Sequence, residues 1–509
     1  MREQHRSDWV EVELGEVANL VYGKGLPTKN LTEGGYPVFG ANGIIGNYSS
    51  YLYEEEQVLI SCRGAASGTI NISPPFCFVT NNSLVVEYSF HDLLLNQYLY
   101  YILRGADKAQ IITGSAQPQV TINNARNLKF PLPPLPEQRV IVAKLEQLFS
   151  ELDQGIASLQ TARKQLDTYR QAVLKQAFEG ELTREWRALQ HTSTSSVQRA
   201  KGPSLPSAEA LLDQIQAARA AHHAQQMAAW EQQIADWEAK GKEGKKPRKP
   251  GRVKKVSNES AEEQKIKYLI QDIPDTWVWV KVANVGEVQL GRQRSPKHHS
   301  GTHMRPYLRV ANVFENRIDL SDVLEMNFTP DEFETYELKD GDILLNEGQS
   351  LELVGRPAMY RGELPGACFQ NTLVRFRPYS TLDRKFALHL MLTYFKLGEF
   401  QKIASWTTSI AHLGAGRFAE LFVPIPSLPE QHQIVAEIES RLSVCDKLVE
   451  SIEAGLQQAE ALRQSLLKQA FEGRLLSEAE LAACRQEPDW EPAGELLARI
   501  KAEKKTSKA

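Results

Sequence analysis

Cysteine is sparse in this chain. There are five in 509 residues (Cys62, Cys77, Cys368, Cys445 and Cys484), odd in number, scattered and never in a CxxC pair. That gives little support to a disulfide framework or a structural zinc site, and predicts free, buried or half-buried thiols. Long hydrophobic runs are missing too: none approaches the roughly 18 apolar residues of a spanning helix. The N-terminal MREQHRSDWVEVELG lacks the apolar core of a signal peptide, so a cytoplasmic protein without membrane contact is expected. Nor is there an excess of one charge: 59 Lys+Arg against 63 Asp+Glu leave a net charge of −4. A polybasic chain that coats nucleic acid is thereby excluded, and any such contact must come from local patches.

Catalytic motifs are equally scarce. Ser73-Pro74-Pro75-Phe76 imitates the [DNS]PP[YF] signature of amino-methyltransferases, but no glycine-rich strand-to-helix turn for S-adenosylmethionine accompanies it. Pro330-Asp331 followed by Glu337-Leu338-Lys339 imitates a PD…ExK nuclease, with too few residues between for the strand pair that joins both acids to one Mg²⁺. There is no GxxxxGK[ST] loop, so ATP hydrolysis is not expected. His298, His299 and His303 lack an acidic or cysteine companion and read as loop residues rather than metal ligands.

What the chain does have is a repeat. Residues 131–183 (PLPPLPEQRVIVAKLEQ…RQAVLKQAFEGELT) align without a gap on residues 424–476 (PIPSLPEQHQIVAEIES…RQSLLKQAFEGRLL) at an offset of 293, with 24 identities in 53 positions. A weaker echo precedes each copy, with WVEVELGEV from Trp9 resembling WVWVKVANV from Trp277. A third follows: AEALLDQI (208–215) resembles AGELLARI (493–500). The chain is a tandem pair of similar halves, and only the first carries an extension, from about 216 to 276.

Each long copy opens on prolines and LPEQ, where proline suits the first helical turn and glutamate complements the helix dipole. Leu145, Leu152, Leu159, Leu166 and Val173 then recur at intervals of seven, with Phe149 and Ile156 beside them. Ile438, Cys445, Ile452, Ala459 and Leu466 repeat the seam in the second copy. Two matched heptad helices in one chain are natural partners, and about 40 residues give a rod on the order of 60 Å. An antiparallel pair is the simplest closure around the module between them. Leu174 and Phe178, matched by Leu467 and Phe471, extend apolar character past the seam and are expected to meet partner helices.

The modules at 1–130 and 277–423 read as α+β. Short β runs (VEVEL, QVLIS, SLVVEYS, GDILLN, TLVRFRP) alternate with turn signals, and each module has one helical segment, LLLNQYLYYILRG or RKFALHLMLTYFKLG. Residues 1–130 hold 9 basic against 12 acidic residues, and residues 277–423 hold 17 of each. Basic residues gather in loops instead. Lys24, Lys29 and Arg63 are candidates in the first module; Arg292, Arg294, Lys297 and His298 are their counterparts in the second. Arginine in a glycine-rich loop reaches guanine edges or phosphates at close range. Gln117, Gln119 and Asn123 either read adenine or hold a turn. In the extension, Met227, Trp230, Ile234 and Trp237 share a helical stripe, and KGKEGKKPRKPGRVKK (240–255) carries nine basic residues against one acidic. That run reads as a flexible tether, with sequence-independent phosphate contact as the other possibility.

Two variable modules, two LPEQ helices and two LKQAFEG endings together resemble the specificity (S) subunit of type I restriction-modification systems, over nearly the whole chain. GANGIIG (40–46), GAASGT (64–69) and GDILLNEG (341–348) add to the likeness. The resemblance implies an α+β chain with two target recognition domains (1–130 and 277–423) at opposite ends of an antiparallel pair of long helices (131–183 and 424–476). Pseudo-two-fold symmetry would relate the two halves. Residues 184–276 would hold a short helix, the extension helix and the basic linker, and 477–509 a short helix and tail. It implies a non-catalytic subunit that reads a bipartite, asymmetric sequence in double-stranded DNA, the helices setting the gap as a spacer. Two methyltransferase (M) subunits and restriction/translocase (R) subunits would dock on it. S-adenosylmethionine, ATP and Mg would sit on those partners and no cofactor on this chain. The rival readings are a DNA-independent coiled-coil scaffold and a self-sufficient methyltransferase or nuclease.

Overall fold

The computed structural model describes residues 8–114, 117–192, 205–244, 246–252, 255–256, 269–270, 272–407 and 409–506. The chain divides into two units, one formed by 1–163 with 450–509, the other by 164–449. Each combines one module with parts of both long helices.

In the first unit a strand pair closes the module where it begins and ends: Val10–Glu13 runs antiparallel to Lys129–Leu132, immediately ahead of the first long helix, Leu135–Phe178. Inside lies a four-stranded sheet in the order Asn19–Tyr22, Ser83–Glu87, Val58–Ser61, Ile70–Ile72. A three-stranded sheet stands beside it, Ile44–Tyr48, Tyr36–Phe39, Phe78–Val79, the last two strands parallel. Alternation along the strands buries Val58, Ile60, Leu84 and Val86 against Leu99, Ile102 and Leu103 of the helix Asn96–Gly105. The runs read as strands and helix from sequence are those the structure forms.

The second unit repeats this plan. Val278–Lys281 pairs with Phe422–Ile425 ahead of the second long helix, Leu428–Phe471. Its four-stranded sheet is ordered Gly286–Leu290, Leu373–Pro378, Ile343–Asn346, Pro357–Met359. Its three-stranded sheet is Leu324–Asn327, Met304–Leu308, Cys368–Phe369. Helix Arg384–Lys396 covers the core, with Phe386, Leu390 and Met391 buried. All five cysteines are free and buried.

The long helices bury the heptad seam. Leu145, Val173, Ile438, Cys445, Ile452 and Leu466 are buried, while Leu152, Leu159, Leu166 and Ala459 are half-buried. They pair antiparallel: in the first unit Arg463 meets Asp153 and Glu453 meets Arg163, so the index falls on one helix as it rises on the other. Arg170 meets Asp446 in the second unit.

The LPEQ motif does more than start a helix. Glu137 is buried and accepts a 2.6 Å hydrogen bond from Trp9 Nε1, whereas the echoed Trp277 is buried with its Nε1 unbonded. Gln138, fully buried, accepts from Leu95 N and donates to the carbonyls of Leu93 and Pro133. Gln431 repeats the clamp with Asp383 N, Thr381 O and Pro426 O. Glu430 accepts from Thr183 Oγ1 at 2.8 Å and pairs with Arg187. A buried amide satisfied at every polar atom fixes the angle at which the module leaves its helix.

LKQAFEG requires a correction. Leu174, Phe178 and Leu467 were expected to face partner helices, but they are 7%, 0% and 1% exposed. Phe178 ends the first helix inside the core of the second module, its ring 5.3 Å from that of Phe386. Leu467 and the half-buried Phe471 end the second helix in the core of the first module. Each module is thus completed by the end of the helix that the other half encodes, and these side chains are not a free surface. The third echo has the same use: Leu211 and Ile215 of helix Ala208–Ala239 fill one core, Leu496 and Ile500 of helix Ala493–Thr506 the other.

Candidate nucleic-acid interface

At one end of each four-stranded sheet the connecting loops are tied together by a ladder of main-chain hydrogen bonds. In the first module Lys24 N donates to Val79 O and Asn81 N to Lys24 O. Cys62 N donates to Asn82 O, Gly64 N to Pro118 O and Val120 N to Cys62 O, with Arg63 bridged to Gln119. Ser67 Oγ adds a 2.7 Å bond to Pro118 O. The ladder brings Lys24, Arg63, Gln117 and Gln119 to one edge, all four exposed. Lys29, on the turn Thr28–Asn30, and Asn123, in the short helix after Thr121, are exposed but stand outside this ladder.

The second module carries the same ladder. Arg292 N donates to Phe369 O, Asn371 N to Arg292 O, Glu347 N to Thr372 O and Leu413 N to Glu347 O. Lys24 therefore corresponds to Arg292, Cys62 to Glu347, Arg63 to Gly348 and Gln119 to His412. The residue before each basic position is glycine for one reason. A Cβ on Gly23 would lie 2.4 Å from Val79 O and Thr80 O, and one on Gly291 would lie 2.2 Å from Gln370 O. Only glycine lets the loop rest on that backbone.

The side chains on this shared frame differ, and Arg292 departs from its expected role. It is 6% exposed, with Nε on Glu332 Oε1 at 2.8 Å, Nη1 on Asn327 O and Nη2 3.2 Å from His298 Nδ1, over the Phe328 ring. An arginine so engaged cannot reach a base edge. Burial opposes ionisation of Glu332, but the Thr329 N–H and the Arg292 guanidinium prevail and hold its carboxyl below the usual range. Arg292 and His298 thus pin the loop 293–299, whose Arg294, Lys297 and His299 remain exposed. Sequence reasoning missed His412, which pairs with Glu347 at 3.1 Å, and Trp406, 58% exposed on the neighbouring strand. The 293-residue offset maps Gln119 onto His412 and was the signal available.

The basic run does not hang free where it is described. Trp230 Nε1 donates to Pro247 O at 3.2 Å, Lys249 lies over the Trp230 ring, and Lys242 and Lys246 lie over Trp237. The run folds back on its own helix; residues 245, 253–254, 257–268 and 271 lie outside the described residues. The nuclease-like Asp331 and Glu337 stand at the start and cap of one seven-residue helix, which leaves no strand pair to join them. Among the described residues no group of three or more His, Cys, Asp or Glu side chains is placed to hold a metal ion. Among them, too, no helix is long and apolar enough to cross a membrane.

Two similar α+β modules, each presenting a loop edge of polar side chains and each closed by matched helices, define a duplicated recognition protein. A family model described as the type I restriction modification DNA specificity domain matches residues 6–159 and 274–459, and the chain belongs to that family. Its role is DNA sequence recognition rather than catalysis. The chain is 24% identical to the Escherichia coli type I restriction enzyme EcoDI specificity subunit, over 98% of this chain and 96% of the relative. It is 22% identical to the Escherichia coli EcoBI specificity subunit, over 98% and 93%. Two solved structures share the fold. One, described as showing complex assembly and conformational transition of the type I R-M system, matches at a TM-score of 0.57 and 18% identity, over 93% of this chain and 100% of the other. The HsdS subunit from Thermoanaerobacter tengcongensis matches at a TM-score of 0.50 and 18% identity, over 93% and 99%.

Proposed function

We propose that this chain reads a bipartite, asymmetric sequence in double-stranded DNA, one half-site per module, as the specificity subunit of a type I restriction-modification complex in the cytoplasm. The observation that carries this is the duplicated ladder with diverged side chains. Lys24, Arg63, Gln117 and Gln119 form one reading edge; His412 and the exposed Trp406 form the other, with Arg294, Lys297 and His299 beside it for phosphate contact. Lys29 and Asn123 are flanking contacts of the first half-site. The helix pair spaces the half-sites.

Two methyltransferase subunits and restriction/translocase subunits dock on the chain and supply the chemistry. S-adenosylmethionine, ATP and Mg belong to those partners, and this chain holds no cofactor. With the LKQAFEG ends spent in the modules, docking falls to apolar side chains exposed on the long helices. These are Val444, Leu448 and Tyr169 in the second unit and Leu462 in the first, at 57, 46, 45 and 45% exposure. Leu462 borders a groove of about 330 Å³ lined by Leu148, Leu152, Ile156, Leu159 and Leu466. The test is methylation mapping of DNA from cells expressing this chain with its methyltransferase partner. An adenine-methylated motif in two unlike halves is expected, and insertion of two helical turns in both repeats should change only the gap. A single uninterrupted motif, or altered half-sites on insertion, would overturn the reading.

A further inference from the structure

The helices Asn96–Gly105 and Arg384–Lys396 start from equivalent caps, since Leu95 N and Asp383 N each donate to the clamp glutamine of their long helix. Six residues past the cap stands Tyr101 in the first module and His389 in the second. On the long helices the offset of 293 pairs Phe149 with Leu442, Arg170 with Arg463 and Leu174 with Leu467. The two junctions can therefore be compared side chain by side chain.

In the first unit the junction is filled. The rings of Tyr101 and Phe149 meet edge-on at 5.6 Å, and the Arg463 guanidinium lies over Phe149 at 5.0 Å. Gly105 brings the helix close: a Cβ there would fall 2.7 Å from Leu467 O. In the second unit the glycine is replaced by Thr393, whose Cβ forbids that approach, and His389 and Leu442 are smaller than the rings they replace. A cleft of about 490 Å³ results, lined by these two with Arg170, Leu392, Lys396 and Asp446.

Two buried polar atoms on residues lining this cleft have no partner. His389 is 8% exposed and its Nδ1 makes no hydrogen bond; the buried Arg170 Nε makes none either. Buried donors and acceptors are rarely left so, because each costs about 1–3 kcal/mol. Burial pushes the imidazole down to about 4, so the ring is neutral near pH 7 and one nitrogen accepts.

We propose that this cleft is a binding site for a phenol ring, its hydroxyl accepting from Arg170 Nε–H and donating to His389 Nδ1. The ring packs on Leu442 and Leu392 as Tyr101 packs on Phe149. Both atoms are buried, so the imidazole and the guanidinium turn toward the cleft to meet the hydroxyl.

The test is a ligand-observed NMR titration of the full chain with p-cresol, using toluene as the ring without a hydroxyl. Saturable binding of p-cresol is expected, with toluene about tenfold weaker for the loss of the polar contacts. His389→Tyr, which supplies the chain's own phenol, should abolish binding and raise the melting temperature by about 2–4 °C. Should that variant fail to fold, Leu442→Phe, which restores the ring present in the first unit, carries the same expectation of weakened binding. N-acetyltyrosinamide separates the sources of the ring: binding at least as tight as p-cresol assigns the cleft to a partner's tyrosine, and exclusion assigns it to a free phenol. No saturation by p-cresol, equal binding of toluene, or undiminished affinity in the folded variants would overturn the proposal.

Discussion

Phe178→Ala tests the way the two halves are completed. Phe178 lies near the end of the first repeat in sequence, yet its ring is fully buried in the second module against Phe386. Truncating such a ring costs about 3–5 kcal/mol in lost transfer energy and unfilled volume. Against a domain stability of about 5–15 kcal/mol this is severe without being fatal. Hydrogen exchange on the full chain reads the loss locally. Amides in Leu373–Pro378 and Arg384–Lys396 should exchange between two and four orders of magnitude faster, at about 1.4 kcal/mol per tenfold. Those in Val58–Ser61 and Ser83–Glu87 should be unchanged. Leu467→Ala should produce the reverse pattern, because Leu467 fills the first module. The reasoning fails if Phe178→Ala loosens the first module. It fails equally if protection is kept throughout while the methyltransferase partner is lost, since Phe178 would then be a surface contact.

At the reading edge, Arg63→Ala should cost about 1–3 kcal/mol of discrimination at one base pair of one half-site, while Lys297→Ala should weaken all sequences alike and lower the salt slope by about one. Competition binding of the assembled complex over a mismatch series at several salt concentrations separates the two, and identical profiles would refute the assignment. Leu448→Asp, on an exposed helix face, should leave the melting temperature within about a degree and abolish co-purification of the methyltransferase; a folded variant that still co-purifies removes this face from the interface. For His389, burial lowers the folded pKa from 6.5 to about 4, with Glu439 and Asp383 opposing and Lys385 assisting. Below 6.5 the unfolded chain takes up a proton that the folded module refuses, so stability is full above that value and falls as pH drops toward 4. Between pH 7.5 and 5.5 the loss is about 1.3 kcal/mol, and urea unfolding of His389→Asn should lack that part. A variant with the wild-type pH dependence would sink it.

The legible features were the local and periodic ones. Leu145 to Val173 at intervals of seven depend on helix geometry alone, and the β runs over Val58–Ser61 and Leu373–Pro378 were marked by composition and the turn signals that bound them. Features set by distant partners were hidden. Nothing near Phe178 says that its pocket is built by residues two hundred positions later. Arg292 looked free because Glu332, which captures it, is 40 residues away on a helix that resembled a broken nuclease motif. Glu137 was legible as a helix-start acid, but its bond to Trp9 spans 128 residues. The equivalence of the two reading edges was hidden because it rests on main-chain bonds, which leave little trace in side-chain identity.

That last point bears on why the target should be asymmetric. A protein with true two-fold symmetry places the same side chains on both half-sites and so reads a palindrome. Here the backbone keeps the symmetry, donor for donor, from Lys24 N and Arg292 N to Val120 N and Leu413 N. The side chains abandon it: lysine corresponds to a captured arginine, Cys62 to Glu347, Arg63 to glycine and Gln119 to histidine. On the proposed reading, a histidine paired with a glutamate at the second edge and a guanidinium with an amide at the first would favour different base edges. Conserved ladders hold each loop against the same strand ends, which lets the outward residues change without disturbing either core. The repeated helices tolerate no such divergence, because Gln138 and Gln431, Phe178 and Phe471 must each fit a module. Identity is therefore concentrated in the helices and difference at the edges, as an asymmetric reader built from one duplicated scaffold requires.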